Sequence, residues 1–217
     1  MRPVVKICGL MREEDLRMCV SYDVDVLGFV VEYPRPVPWN LSSETARGLI
    51  AAMPEQAKTC VVTGGTREHI IRVAEETKPN FIQLHFGETL EDTTFLVNAL
   101  GKHGIRVIKT LFPNTPDLNQ AAADFCAAGV HALLYDPRTP NNAVKSAPAD
   151  ISTYIKLKQA ASCAVILAGG ITPDNAAKML RKAKPEMIDL MTGVEQSYGV
   201  KDEAKVAALF QALNQIC

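Results

Sequence analysis

The sequence has no apolar run near the roughly 20 residues that cross a bilayer. Its opening stretch, Met1-Arg2-Pro3-Val4-Val5-Lys6, lacks the apolar centre of a signal peptide, so none is expected. Neither charge is in surplus: the formal net charge is -1 at pH 7, and Lys and Arg are scattered. Nucleic acid and anionic membranes call for clustered positive charge, so neither is an expected partner. The six cysteines form no C-x-x-C pair and show no zinc-ligand spacing. They stand mostly in apolar runs, where Cys acts as a small hydrophobe. A reduced, cytoplasmic protein with no metal site is expected. The dinucleotide fingerprint G-x-G-x-x-G does not follow the first strand-like segment.

What is present is a regular alternation. The chain has 217 residues, 47% of them hydrophobic, enough for one sizeable core and short for two. A single domain over residues 1–217 is expected. Eight short β-rich runs are spaced along it: Val4–Cys8, Val26–Val31, Thr59–Val62, Phe81–Leu84, Arg106–Lys109, Ala132–Tyr135, Ala164–Leu167 and Met187–Met191. Helix-patterned runs follow each of them. Ala46, Leu49, Ile50 and Met53 make one apolar stripe; Ala176, Met179, Leu180 and Ala183 make another. Start signals accompany several helices: Ser42 or Ser43, Thr66, the Thr89/Asp92 variant of the capping box, and Thr172-Pro173. The helix between Asp150 and Ala161 is the least marked.

Strict strand–helix alternation implies right-handed crossovers and a parallel sheet. Both a closed barrel and an open doubly wound sheet fit. Eight units in this length, with no dinucleotide fingerprint, favour a (β/α)8 TIM barrel.

In that barrel the active site lies where the strands end. The special residues there are Lys6, Cys8, Arg35, Gln83, His85, Lys109, Asp136, Arg138, Gly169, Gly170, Thr192 and Gly193. Glycines after the seventh and eighth strands bare their N–H groups to an anion, and a helix N-terminus adds partial positive charge. Tight turns alone would also account for them, but their place in the barrel favours phosphate. Cys8 is either a core cysteine or a proton acceptor that Lys6 helps to ionise. Asp136, before Pro137, is either a turn former or an acid facing Cys8 across the mouth. Arg35, in the stiff Tyr33-Pro34-Arg35-Pro36 loop, is a carboxylate clamp or a surface charge. Gln83 and His85 line the upper barrel or touch substrate. Trp39 reads as packing, and Gly64-Gly65-Thr66 as a loop and helix cap.

Several of these segments resemble phosphoribosylanthranilate isomerase of tryptophan biosynthesis. They are Lys6-Ile7-Cys8-Gly9-Leu10, Gly28-Phe29-Val30, Pro34-Arg35-Pro36-Val37, Gln83-Leu84-His85, Leu167-Ala168-Gly169-Gly170-Ile171-Thr172-Pro173 and Thr192-Gly193-Val194-Glu195, with Gly199-Val200-Lys201-Asp202 near the end. The resemblance spans nearly the whole chain. It implies an Amadori rearrangement needing no cofactor, on a small-molecule sugar phosphate. Cys8 would be the general base and Asp136 the general acid. Arg35 would hold the anthranilate carboxylate, with Lys6, Gln83, His85 and Arg138 also near substrate. Gly169, Gly170, Thr192 and Gly193 would hold the phosphate. Three segments depart from the family pattern. Asp136-Pro137-Arg138-Thr139-Pro140-Asn141-Asn142 replaces a glycine-rich loop, in which Arg138, Asn141 and Asn142 are expected to make compensating contacts. Phe86 interrupts Gln-Leu-His-Gly, and Thr63-Gly64-Gly65 replaces Val-Asn. An isomerase for another sugar phosphate, or a non-catalytic relative that binds phosphometabolites, remains an alternative.

Overall fold

Eight parallel strands close on themselves in a computed structural model that describes residues 2–138 and 150–215. The strands are β1 Val4–Ile7, β2 Val26–Val31, β3 Lys58–Thr63, β4 Phe81–Leu84, β5 Arg106–Leu111, β6 Ala132–Tyr135, β7 Ala164–Ala168 and β8 Met187–Leu190. Each pairs with the next, and β8 pairs with β1, so no edge is left among them. The helices are α1 Glu13–Ser21, α2 Ser43–Ala51, α3 Arg67–Thr77, α4 Leu90–Gly101, α5 Leu118–Ala127, α6 Ile151–Ala160, α7 Pro173–Ala183 and α8 Glu203–Asn214. The expected TIM barrel is the observed fold.

Strand parity sorts the core into two layers. Val5, Ile7, Leu27, Phe29, Val61, Ile82, Val107, Leu133, Val165 and Ile188 point outward into the shell shared with the helices. Val26, Cys60, Phe81, Ile108, Ala132, Leu134, Ile166 and Ala168 fill the barrel interior. A strand buried on both faces needs apolar residues at both parities, which is why these segments read as continuous apolar runs.

The helix caps follow local chemistry. Ser42, Thr66 and Thr89 accept from the backbone N–H groups of Thr45, His69 and Asp92. Asp150 caps α6, the helix with the weakest signal. The stripe reaching Met53 overshoots: α2 stops at Ala51 because Pro54 disfavours helical geometry in the residue before it. Asn40–Leu41 adds a short strand beside the end of β2, and Glu195–Ser197 pairs with Val200–Lys201 as a hairpin. Neither was marked in the sequence, because loop-to-loop contacts create both. Trp39 Nε1–H and Lys201 Nζ donate to the buried Glu195 carboxylate at 2.9 and 2.8 Å, tying the two additions together.

One expectation is overturned. Cys126, in α5, and Cys163, just before β7, form a disulfide with Cα atoms 5.6 Å apart. They are 37 residues apart, so no spacing rule marks them. The packing of α5 beside α6 brings the end of one helix to the loop leaving the other. The expectation of fully reduced cysteines therefore fails for this pair. Cys8, Cys19 and Cys60 are free and buried. Cys217 and the segment Thr139-Pro140-Asn141-Asn142 lie outside the described residues. Among the described residues, no helix is long and apolar enough to cross a membrane.

Candidate active site

Inward parity carried to the strand ends builds a pocket. Cys8, Val30, Val62, Gln83, Leu134, Asp136, Ala168, Asp189 and Met191 line it, all at inward-facing positions of their strands. Loops complete the wall with Tyr33, Val37, Trp39, His85 and Arg138 on one side and Gly169, Gly170, Ile171, Thr192 and Gly193 on the other.

Cys8 owes its seat to a glycine. A Cβ on Gly28 would stand 2.9 Å from Cys8 Cα and 3.0 Å from Sγ, so only glycine leaves β2 low enough for the thiol. Cys8 N–H donates to Leu190 O at 2.8 Å, which fixes the strand end. Two residues down the strand, the fully buried Lys6 Nζ donates to Asp189 Oδ2 at 2.8 Å. Burial works against the Lys6 ammonium, but the Asp189 carboxylate outweighs it, and the net shift is upward. Burial also raises the Cys8 thiol, a shift that Lys6 only partly opposes. Cys8 is therefore a neutral thiol in the free protein.

Asp136 directly follows β6, three strands round the barrel from β1. It is 1% exposed, yet three groups address it. Arg138 donates from Nε to Oδ1 at 2.9 Å and from Nη2 to Oδ2 at 2.8 Å, and its backbone N–H reaches Oδ1 at 2.9 Å. His85 Nε2 lies 3.4 Å from Oδ2. Burial pushes the Asp136 carboxyl up, but the His85 and Arg138 contacts prevail and hold it below the usual carboxylate range. On its other side, His85 Nδ1 meets Thr110 Oγ1 at 3.0 Å and the Gln83 amide nitrogen at 3.1 Å. His85 thus bridges the Asp136 carboxylate to Thr110 and Gln83.

The glycine loops form the third side. Gly169 and Gly170 adopt φ of 93° and 58°, values that side chains disfavour. Asn175 Nδ2 donates to Gly170 O at 2.8 Å while its Oδ1 accepts from Thr172 N–H at 2.9 Å, so the start of α7 holds this turn. A Cβ on Gly193 would fall 1.8 Å from Ile171 O. The two loops thus touch at backbone level, with α7 opening at Pro173 behind them. Backbone donors beside a helix N-terminus suit an anion.

The expected residues fall into three groups. Cys8, Gln83, His85, Asp136, Arg138, Gly169, Gly170, Thr192 and Gly193 meet in the pocket. Lys6 lies beneath its floor, fully buried against Asp189. Arg35 is exposed and outside the lining, its guanidinium 5.3 Å from the Phe86 ring centre. Lys109 faces outward to Glu88 at 2.9 Å. Asp189 was missed, although a carboxylate inside the apolar strand Met187-Ile188-Asp189-Leu190 was a usable signal. Its Oδ1 has no hydrogen-bond partner among the described residues. Tyr33 was also missed; its hydroxyl donates to His85 O at 2.8 Å, a contact invisible in sequence.

Residues 5–212 match the family model described as N-(5'phosphoribosyl)anthranilate (PRA) isomerase. An N-(5'-phosphoribosyl)anthranilate isomerase of Haloferax volcanii is 33% identical over 210 residues, covering 96% of this chain and 91% of that protein. One from Chlorobium luteolum is 30% identical, covering 96% of each. Among solved structures, the phosphoribosyl anthranilate isomerase of Thermus thermophilus superposes with a TM-score of 0.81 at 31% identity over the whole of both chains.

Proposed function

The chain belongs to the N-(5'-phosphoribosyl)anthranilate isomerase family, and from that premise we propose how its pocket divides the work. It is an isomerase of tryptophan biosynthesis, acting on N-(5-phosphoribosyl)anthranilate and yielding 1-(2-carboxyphenylamino)-1-deoxyribulose 5-phosphate. Asp136 is the general acid: it gives a proton to the ribose ring oxygen as the C1–O bond breaks and the Schiff base forms. Cys8 is the general base: its thiolate takes the C2 proton, and the enamine that results becomes the ketose. No cofactor enters this sequence. Gly169, Gly170, Thr192 and Gly193 hold the phosphate. Arg35 holds the aryl carboxylate, with Gln83 and His85 ordering the acid side.

The observation that carries this reading is the pairing of a thiol and a carboxyl group on strand ends either side of one mouth, beside two interlocked glycine turns. In the free protein the proton is on Cys8 and not on Asp136. Catalysis needs the reverse. Substrate supplies the change by drawing Arg138 to its own anionic groups, which lets the Asp136 carboxyl take up a proton. Lys6 acts from below, biasing Cys8 toward the thiolate. As a biosynthetic enzyme of this family, the protein is assigned to the cytoplasm.

The test is complementation of a tryptophan auxotroph lacking the isomerase. Growth is expected with the parent chain and not with Cys8→Ala or Asp136→Asn. A folded parent chain that fails to restore growth would move the assignment to another sugar phosphate.

A further inference from the structure

Two of the chain's departures from the family pattern are in contact with each other. A Cβ on Gly64 would stand 2.4 Å from Phe86 Cβ and 2.7 Å from Glu88 Oε1, so position 64 accepts no side chain while Phe86 keeps its place. Both segments are fixed by one carboxylate. Glu88 accepts from Gly65 N–H through Oε1 and from Phe86 N–H through Oε2, each at 3.3 Å, and Lys109 Nζ holds Oε2 at 2.9 Å. The Phe86 ring packs at the edge of the apolar wall formed by Cys8, Val30, Tyr33, Trp39 and Val62.

The Pro-rich loop docks on that ring. Tyr33 meets Phe86 edge-on, with ring centres 6.0 Å apart and planes at 87°. The loop's far end is closed by Asn40, which accepts from Tyr33 N–H at 2.8 Å and donates to Tyr33 O at 3.2 Å. Arg35, between these two anchors, lies over the Phe86 face at 5.3 Å. A ring face attracts a guanidinium through its plane.

We propose that Phe86 is a positioning residue for Arg35: the ring, admitted by Gly64, is the platform that aims the guanidinium at a carboxylate on the substrate's aryl ring. It thereby sets selectivity for arylamine sugar phosphates that carry this carboxylate over those that lack it. The inference rests on the assignment of Arg35 to the carboxylate. An exposed arginine without a platform loses rotamer freedom when it binds an anion, and a platform removes part of that loss in advance.

The experiment measures kcat and KM for N-(5-phosphoribosyl)anthranilate and for the corresponding phosphoribosyl aniline, which has no carboxylate. Phe86→Ala and Phe86→Leu should raise KM for the first about 3-fold to 10-fold, with kcat within about 2-fold and KM for the second unchanged. Phe86→Tyr should behave as the parent. Phe86→Leu preserves bulk, so a KM rise in that variant separates the ring from its packing volume. Arg35→Ala should abolish the preference for the carboxylate. If Arg35→Ala loses it while both Phe86 variants retain it, the platform is wrong and the Arg35 assignment stands. If Arg35→Ala retains it, the assignment fails and the inference with it. Equal KM rises for both substrates in Phe86→Leu would also overturn the platform.

Discussion

Arg138 turns back on Asp136 and grips both oxygens of its carboxylate, at 2.9 Å and 2.8 Å, from a position only two residues along the chain. The fork stabilises the ionised carboxyl, so it sets the protonation state of the proposed acid in the free protein. Arg138→Gln should remove the fork's share of that hold and move the Asp136 carboxyl upward, since burial is then opposed by His85 without the guanidinium. Because the general acid must carry its proton and kcat/KM reports the free protein, raising the Asp136 carboxyl enlarges the competent fraction, so kcat/KM of the variant relative to the parent should increase as the pH is lowered. The fork's contribution to stability is complete above 3.8 and disappears as pH falls below it, so the variant should be less sensitive to acid than the parent. A pH profile of kcat/KM with the same shape in variant and parent would break the link between the fork and catalysis.

Cys8→Ala and Asp136→Asn should each lower kcat by at least ~10²-fold with little change in substrate binding. Gly28→Ala offers a subtler test, since its new methyl would meet Cys8 Cα at 2.9 Å. It should cut kcat while leaving Asp136, and hence the pH dependence that Asp136 imposes, as in the parent. Near-normal turnover in Cys8→Ala would remove that residue from the base role.

Gly193→Ala would place a methyl carbon 1.8 Å from Ile171 O, so the loops after β7 and β8 must separate. The expected result is a rise in KM of about 10-fold or more and weaker competitive inhibition by inorganic phosphate. Inhibition by phosphate that is equally strong in parent and variant would mean that the anion binds elsewhere.

Asp189→Asn leaves the Lys6 ammonium buried without its countercharge. Loss of one partner of a buried pair costs about 3–5 kcal/mol, which a urea titration reads directly. The pair's contribution is whole below 10.5, the ordinary lysine value, and is lost only as pH climbs above it. Lys6→Met with Asp189→Leu removes both charges and should recover much of the stability. A single variant as stable as the parent would show that the pair carries no net energy.

Reduction of the Cys126–Cys163 bond, or Cys126→Ser, should destabilise the fold by up to about 4 kcal/mol, from the loop entropy that a 37-residue separation implies. Thermal melting with and without a thiol reductant measures it. Identical melting in the two conditions would mean that the bond is not formed in the protein as prepared.

The sequence determined the barrel by itself. Periods of two and 3.6 alternate eight times, and parallel strands buried on both faces announce themselves as unbroken apolar runs. Caps at Ser42, Thr66, Thr89 and Thr172 were legible because a cap is a contact between residues two or three apart. The strand-end rule then gathered Cys8, Asp136 and the two glycine-bearing loops without any knowledge of distances. Tertiary structure decided what those groups touch. Lys6 and Asp189 are 183 residues apart and Tyr33 and His85 are 52 apart, so only the closed sheet makes them neighbours. The Cys126–Cys163 bond and the Gly64–Phe86 contact are of the same kind, set by how helices and loops pack on the barrel rather than by local preference. Even the Arg138 fork, two residues long, escaped the sequence. Burial of the Asp136 carboxylate, which removes competing water, is what strengthens this guanidinium contact, and burial is set by the closed barrel.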